Sequence, residues 1–345
     1  MKYPFVKPVM PQFSELSPHF KKIWESNYYS NFGPYTKELE KMVADYYNID
    51  SGRVVTCSNA TIGLMLAIKT LNWKDEILLP SYTFPATVQA IQWNNLKYTY
   101  ADINPNTHHI LLDETTPKCK NLLHVFPYGC PRFIEHGSFD SVIVDAASSL
   151  GNRNSEMLYA IANAGAVVFS LHATKVMGVG EGGIVILKSK ALADRFRQLS
   201  NFGYQPNKDF INGGLNGKMC EVMAAIGVEK IKNIDKIIND IKKVAKMYKY
   251  YLRDYESVMH DVSYYDHPWQ FVPLLVDNRD NILKSLKSRA SIEAGKYYQP
   301  LHHSTSEPNC SLPITDEIAA RTLSLPLYHN MKEEDVKYIC GALKS

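Results

Sequence analysis

A lysine stands just beyond an apolar run in Phe169-Ser170-Leu171-His172-Ala173-Thr174-Lys175, and Gly178-Val179-Gly180-Glu181-Gly182-Gly183 follows it. Small residues on both sides let a ligand approach the backbone, so the Lys175 amine is a candidate Schiff-base former. The alternative for any lysine is a solvated surface charge; the S-x-H-x-T-K and E-G-G surroundings favour chemistry. A carboxylate holds a similar place in Val144-Asp145-Ala146-Ala147-Ser148-Ser149-Leu150-Gly151, directly after an apolar strand. A buried acid needs a cation or hydrogen-bond donors, and a protonated heteroaromatic nitrogen would serve, although Asp145 could equally cap a helix.

Three more segments carry polar groups at the ends of expected strands, where open α/β sheets bind ligands. In Cys57-Ser58-Asn59-Ala60-Thr61 a strand runs into a helix, and backbone N–H groups with the Thr61 hydroxyl could cup a phosphate or simply cap the helix. Neither G-x-G-x-x-G nor a P-loop is present there, so dinucleotide and Walker-type nucleotide binding lack support. Tyr82-Thr83-Phe84-Pro85-Ala86-Thr87 offers Phe84 as a stacking face for a flat ring, or as core. Gly213-Gly214-Leu215-Asn216-Gly217-Lys218-Met219-Cys220-Glu221 is a glycine-rich turn entering a helix, with capping as its plain reading.

The elements that must position these groups alternate along the first two thirds of the chain. Apolar runs at Val54-Val55, Ile77 to Leu79, Tyr98 to Tyr100, Leu122 to Phe126, Val142 to Val144, Val167 to Leu171 and Ile184 to Leu187 read as strands. Helical spacing marks Thr61 to Leu71, then Pro85 to Trp93 with Thr83 near its cap, and Lys218 to Ile231. This order is an α/β class, a mostly parallel sheet covered by helices on both faces. Beyond it, a charged helix over Ile234 to Tyr255 leads into Asp261 to Tyr265, Phe271 to Val276 and Ile282 to Leu286, a smaller α+β unit closed by a helix over Glu333 to Leu343. The expected division is a large domain over residues 1–235, with residues 1–20 packing on the small one, and a small domain over 236–345.

The 345 residues include 38 Lys+Arg and 35 Asp+Glu, a net charge of +3, and 45% are hydrophobic. Such a chain is globular, and with no basic block it lacks the means to grip nucleic acid. The Lys-rich stretch Lys230 to Lys249 reads as the wet face of a helix. No apolar run is long enough to span a membrane, and prolines break the first residues before a signal could form, so a cytoplasmic protein is expected. The six cysteines (Cys57, Cys119, Cys130, Cys220, Cys310, Cys340) show no metal spacing and read as free thiols. Among the histidines, the adjacent pairs His108-His109 and His302-His303 would point to opposite faces if extended, so no metal site is expected.

In this order the segments resemble the DegT/DnrJ/EryC1/StrS family of sugar aminotransferases. The likeness runs from Phe32-Gly33-Pro34 through Asn59-Ala60-Thr61, Asp75-Glu76-Ile77, Pro80-Ser81-Tyr82-Thr83-Phe84, Ala101-Asp102-Ile103 and Asp145-Ala146-Ala147 to the lysine segment. It continues with Asn216-x-Lys218-Met219-x-Glu221, Tyr298-Gln299-Pro300-Leu301-His302 and Leu323-Ser324-Leu325-Pro326-Leu327-Tyr328. The resemblance implies the type I fold of pyridoxal-phosphate enzymes, with Lys175 carrying pyridoxal 5'-phosphate as a Schiff base and Asp145 on the pyridine nitrogen. It further implies Phe84 stacked on the ring, with Asn59, Ala60, Thr61 and Ser170 at the phosphate. Ser148 would lie near the phenolic oxygen, where many relatives carry Gln, His or Glu. Asn216 would reach the neighbouring subunit's cofactor in a homodimer with shared sites.

Relatives acting as sugar dehydratases replace the lysine with His, so retention of Lys175 implies transamination. His172 to Val176, Asn201-Phe202-Gly203 and Asn216 to Met219 look most similar to the viosamine-type branch, which aminates C4 of dTDP-4-keto-6-deoxyglucose. The implied partners are L-glutamate (giving 2-oxoglutarate) and a nucleotide-linked keto sugar, the product feeding a surface polysaccharide such as an O-antigen. A 3-keto or a UDP- or GDP-linked acceptor is the nearest alternative, and a non-catalytic binding protein of the same fold the more distant one. Lys218 and Tyr298 are candidates for gripping the nucleotide.

Overall fold

The computed structural model describes residues 1–344 apart from 133–137, 206, 208, 257–266 and 305–309. The chain opens with α1 (Phe13–Ser26) and α2 (Pro34–Tyr47). It then alternates: β1 (Val54–Cys57), α3 (Ala60–Thr70), β2 (Ile77–Pro80), α4 (Pro85–Gln92), β3 (Tyr98–Ala101), β4 (Asn121–Val125), β5 (Ser141–Asp145), α5 (Ser155–Asn163), β6 (Ala166–Ser170), β7 (Gly183–Leu187) and α6 (Lys190–Ser200). After α7 (Glu221–Lys232) and α8 (Ile234–Tyr251) come β8 (Phe271–Leu275), α9 (Arg279–Ala290), α10 (Pro313–Arg321), β9 (Thr322–Pro326) and α11 (Glu333–Ala342).

The first seven strands form one sheet in the order β1-β7-β6-β5-β4-β2-β3, parallel except where β7 runs against β1 and β6. Period-two alternation along each strand sorts its side chains to two faces. Val54, Leu78, Leu122, Val142, Val144 and Ile186 share one core with α2 and α7. Val55, Leu79, Leu123, Ile143, Val168 and Val185 share the opposite core with α3, α4 and α6. The mostly parallel, doubly covered sheet expected from the order of the runs is what forms. Strands β8 and β9 make a separate antiparallel pair, packed with α8, α9 and α11 in a third core that also takes in Tyr82, Ile103, Tyr128 and Cys130 from the larger unit. Of residues 1–20 expected on this unit, the first lie against the pair, Tyr3 bridging Ile292 and the Phe5 ring stacking on Phe271 at 4.9 Å, whereas α1 packs instead on α7, with Leu16 in the large core.

Several boundaries differ from the sequence reading, each for a tertiary reason. The helix expected from Lys218 begins at Glu221, because residues 216–217 are drawn into strand-like bonding with residues 200–201 and with Ser58. The helix expected to reach Tyr255 stops at Tyr251, and the chain turns so that Glu256 bridges Leu275 beside β8. Thr83 does not cap α4; its hydroxyl is buried against that of Thr87 at 2.8 Å. Asp261 to Tyr265 lies outside the described residues. The paired histidines also depart from the extended picture. His302 and His303 sit in a 3₁₀ turn and bring both Nε2 atoms to Asp316 Oδ1, at 3.2 and 3.0 Å. His108 and His109 are both buried in a turn, on Tyr128 and on the Cys130 carbonyl, and burial pulls them down to about 3 and about 4.

Candidate active site

Because β7 is the only reversed strand among these seven, β1, β2, β4, β5 and β6 all end at the same edge of the sheet. A cleft of about 390 Å³ opens there. The loop leaving β6 is folded back on itself by backbone bonds from Leu171 to Gly182, Ala173 to Gly180 and Val179 to Leu171, each 2.8 Å. Gly178 makes this possible, since a Cβ there would lie 2.4 Å from the His172 carbonyl oxygen. The turn delivers Lys175 to the cleft, where Nζ donates to Ser148 Oγ at 3.0 Å and to Gln270 Oε1 at 3.1 Å. Burial pulls the ammonium down to about 8, against the opposing pull of the Asp145 carboxylate.

Asp145 is the last residue of β5 and is buried. Its Oδ2 accepts from Thr87 Oγ1 at 2.7 Å and its Oδ1 from the Ala147 N–H at 3.1 Å. Burial raises this carboxyl, while those two donors and the Lys175 charge draw it back. The two donors orient this carboxyl in the wall of the cleft, and it caps no helix, the next one starting only at Ser155.

The mouth of α3 forms a third wall. Asn59 Oδ1 accepts from the Ile62 N–H at 2.9 Å, and the Gly63 N–H goes to the Asn59 carbonyl at 3.0 Å. The N–H groups of Ala60 and Thr61 have no intrahelical acceptor, and both residues line the cleft with Ser170. A first-turn dipole with two such donors suits a phosphate. Gly183 lets β7 pass close beneath, for a Cβ on it would lie 2.8 Å from the Asn59 carbonyl carbon. Phe84, at the N-cap of α4, is 53% exposed and lines the same cleft, so it is a free face and not core. A flat ring carrying a carbonyl, a basic nitrogen and a phosphate matches this donor set: an amine, an anion and a helix mouth around one space.

The sequence signature of the DegT/DnrJ/EryC1/StrS aminotransferase family matches residues 13–344. The chain belongs to that family. A dTDP-4-amino-4,6-dideoxy-D-glucose transaminase of Escherichia coli is 28% identical over 365 residues, covering 99% of this chain and 97% of its own. A putative PLP-dependent aminotransferase from Bacillus cereus superposes with a TM-score of 0.87 at 28% identity, over 99% of this chain and 100% of that one. DesI, solved in the presence of its TDP-sugar product, gives a TM-score of 0.88 at 28% identity, over 100% of this chain and 93% of that one.

Within this aminotransferase the structure brings Lys175, Asp145, Asn59, Ala60, Thr61, Phe84, Ser148 and Ser170 to one cleft. Asn216 does not line it; its backbone pairs with Asn201. Lys218 is likewise engaged elsewhere, donating to Asn201 Oδ1 at 2.7 Å with its charge 4.6 Å from the Phe202 ring centre. Tyr298 does line the cleft, buried beside Tyr297. Sequence reasoning missed Thr87 and Gln270. Thr87 stood within a segment already singled out, one helical turn after Thr83, and that spacing was the available signal. Gln270 precedes β8, far along the chain, and nothing local marks it.

Proposed function

We propose that this aminotransferase carries an amino group from L-glutamate to C4 of a nucleotide-linked 4-keto-6-deoxy sugar, with pyridoxal 5'-phosphate as its cofactor. The carrying observation is the meeting of a lysine pulled down to about 8, a buried hydrogen-bonded aspartate and an open helix mouth in one cleft. When bound, the cofactor supplies an electron sink for the carbon from which a proton is taken.

The residues divide the remaining work. Near neutral pH a useful fraction of Lys175 is unprotonated, so its amine would be the group that holds the cofactor and, when free, the base that takes and returns a proton. Ser148 and Gln270 hold that amine in place between transfers. Asp145, fixed by Thr87 and Ala147, is the group that would pair with the ring nitrogen of the bound cofactor. Asn59 orders the first turn of α3 so that Ala60 and Thr61 meet the phosphate, with Ser170 opposite. Phe84 would cover one face of the ring, and Tyr297 and Tyr298, which also line the cleft, would wall the sugar. Likeness to the E. coli enzyme and to DesI supports a thymidine-nucleotide sugar acceptor. Asn216, which does not line its own cleft, suits a homodimer in which it completes the neighbour's site. Six free thiols suit a reducing cytoplasm, and the product would serve a surface polysaccharide.

A single-turnover experiment tests this: cofactor-loaded protein receives glutamate, then dTDP-4-keto-6-deoxyglucose, with absorbance and sugar analysis and Lys175→Ala alongside. Loss of the lysine-bound absorbance with glutamate, its return with the sugar and nitrogen at C4 bear out the reading. If glutamate reacts and this sugar does not, the acceptor is wrong. Absence of any lysine-bound cofactor in wild type overturns the catalytic assignment.

A further inference from the structure

Lys230, in the middle of α7, is only 4% exposed and among the described residues has no ion-pair partner. Its Nζ instead donates to three backbone carbonyls: Val9 at 3.0 Å, Val176 at 3.2 Å and Gly178 at 2.9 Å. Three acceptors around one nitrogen match the three protons of an ammonium, since a neutral amine has only two to give. A charge buried without a carboxylate is costly and persists where its hydrogen bonds are all made. Burial pulls this lysine down to about 8, so the ammonium still predominates at neutral pH.

The carbonyls it holds are not scattered. Val176 follows Lys175 directly, and the Gly178 N–H closes the turn on the Lys175 carbonyl at 2.9 Å. Lys230 therefore grips the turn that presents the cleft amine at two points. The third point, Val9, belongs to the amino-terminal segment whose Phe5 stacks on Phe271 and on the cleft residue Tyr297, at 5.5 Å for the latter. A small cavity between turn and segment is lined by Phe5, Val9, Lys175 and Gln270. Gln270 is also the acceptor that fixes Lys175 Nζ. Behind the reactive amine, then, lies a packed wedge that Lys230 closes.

We propose that Lys230 is a positioning residue for Lys175: its ammonium ties the turn at Val176 and Gly178 to the amino-terminal segment and so fixes where the amine stands against Ser148 and Gln270. The inference rests on the reading of Lys175 as the reactive amine. A displacement of about 1 Å in such a group costs on the order of a hundredfold in rate, so a local tie can matter without touching substrate.

The test uses full-length, cofactor-loaded protein carrying Lys230→Met, which keeps bulk and removes every donor, and Lys230→Arg, which keeps a buried cation with donors. For Lys230→Met we expect kcat to fall about tenfold or more while KM for glutamate moves by less than about threefold. Hydrogen exchange read by mass spectrometry should quicken at 172–180 and at 5–10 together, with β4, β5 and β6 unchanged. Lys230→Arg should recover most of both. Wild-type kcat and wild-type exchange at 172–180 in Lys230→Met overturn the proposal. So does exchange that rises equally everywhere, which marks a general stabiliser, or an Arg variant no better than Met. Failure of both variants to fold also overturns it, since a tie that only positions the turn tolerates the charge-retaining replacement. Exchange needs no turnover, so a wrong donor or acceptor sugar is distinguished from a wrong role for Lys230.

Discussion

An amine held near pH 8 is a poor nucleophile in acid and a good one in mild base. Capture of pyridoxal phosphate by cofactor-free protein should therefore quicken about tenfold per pH unit below that point and level off above it, as Lys175 loses its proton; stopped-flow absorbance measures it. A rate flat from acid to base would mean that the amine does not titrate there. Thr87→Val removes a side-chain donor to Asp145 while keeping the shape of the residue. A hydrogen bond to a buried carboxyl contributes about 1–3 kcal/mol, so kcat/KM should drop up to about a hundredfold, and the free energy of urea unfolding should fall by a comparable amount because a buried acceptor loses its donor. Lys175 and Asp145 were legible because each follows an apolar run at a strand end. Thr87 and Gln270 were not, because their roles come from what faces them across the cleft.

At the scale of elements, helix ends are closed from a distance. The buried Glu221, first residue of α7, accepts the N–H groups of Tyr35 and Thr36 at 2.7 and 3.1 Å, capping α2. Asp102 does the same for α10, accepting from Ile314 at 3.0 Å and Thr315 at 2.7 Å. Local capping signals were readable, as with Asn59 before α3, but these two lie some two hundred positions from the ends they close, as the 186 positions between Tyr35 and Glu221 show. Glu221→Ala should lower the free energy of urea unfolding by about 2–3 kcal/mol, because it strands two buried donors. Gly183→Ala pushes a methyl against the Asn59 backbone and should part β7 from the mouth of α3. We expect a loss of about 1–3 kcal/mol and weaker cofactor retention on dialysis; retention equal to wild type would show that α3 does not hold the phosphate.

For the whole molecule the decisive question is whether one chain makes one site. If Asn216 completes the neighbour's cleft, Lys175→Ala and Asn216→Ala homodimers are each impaired, yet mixing and reassociation yields heterodimers with one intact site. Activity should then recover to roughly a quarter of wild type for a random mixture; no recovery from two impaired variants means that Asn216 does not complete the neighbour's site, and an Asn216→Ala dimer as active as wild type places it in no site. The sequence by itself determined the alternation of strands and helices, hence the parallel sheet, because period-two and helical spacing are local properties of apolar residues. It also determined the loops that carry Lys175, Asp145 and the α3 mouth, because strand ends are where such a sheet leaves its chain exposed. Only the tertiary structure decided which groups orient them. Thr87 on Asp145, Gln270 on Lys175, Glu221 on α2 and Lys230 behind the cleft are all set by the packing of elements remote in the chain. A hydrogen bond has a range of about 3 Å, and no pattern of spacing along a sequence specifies contact at that range between distant segments.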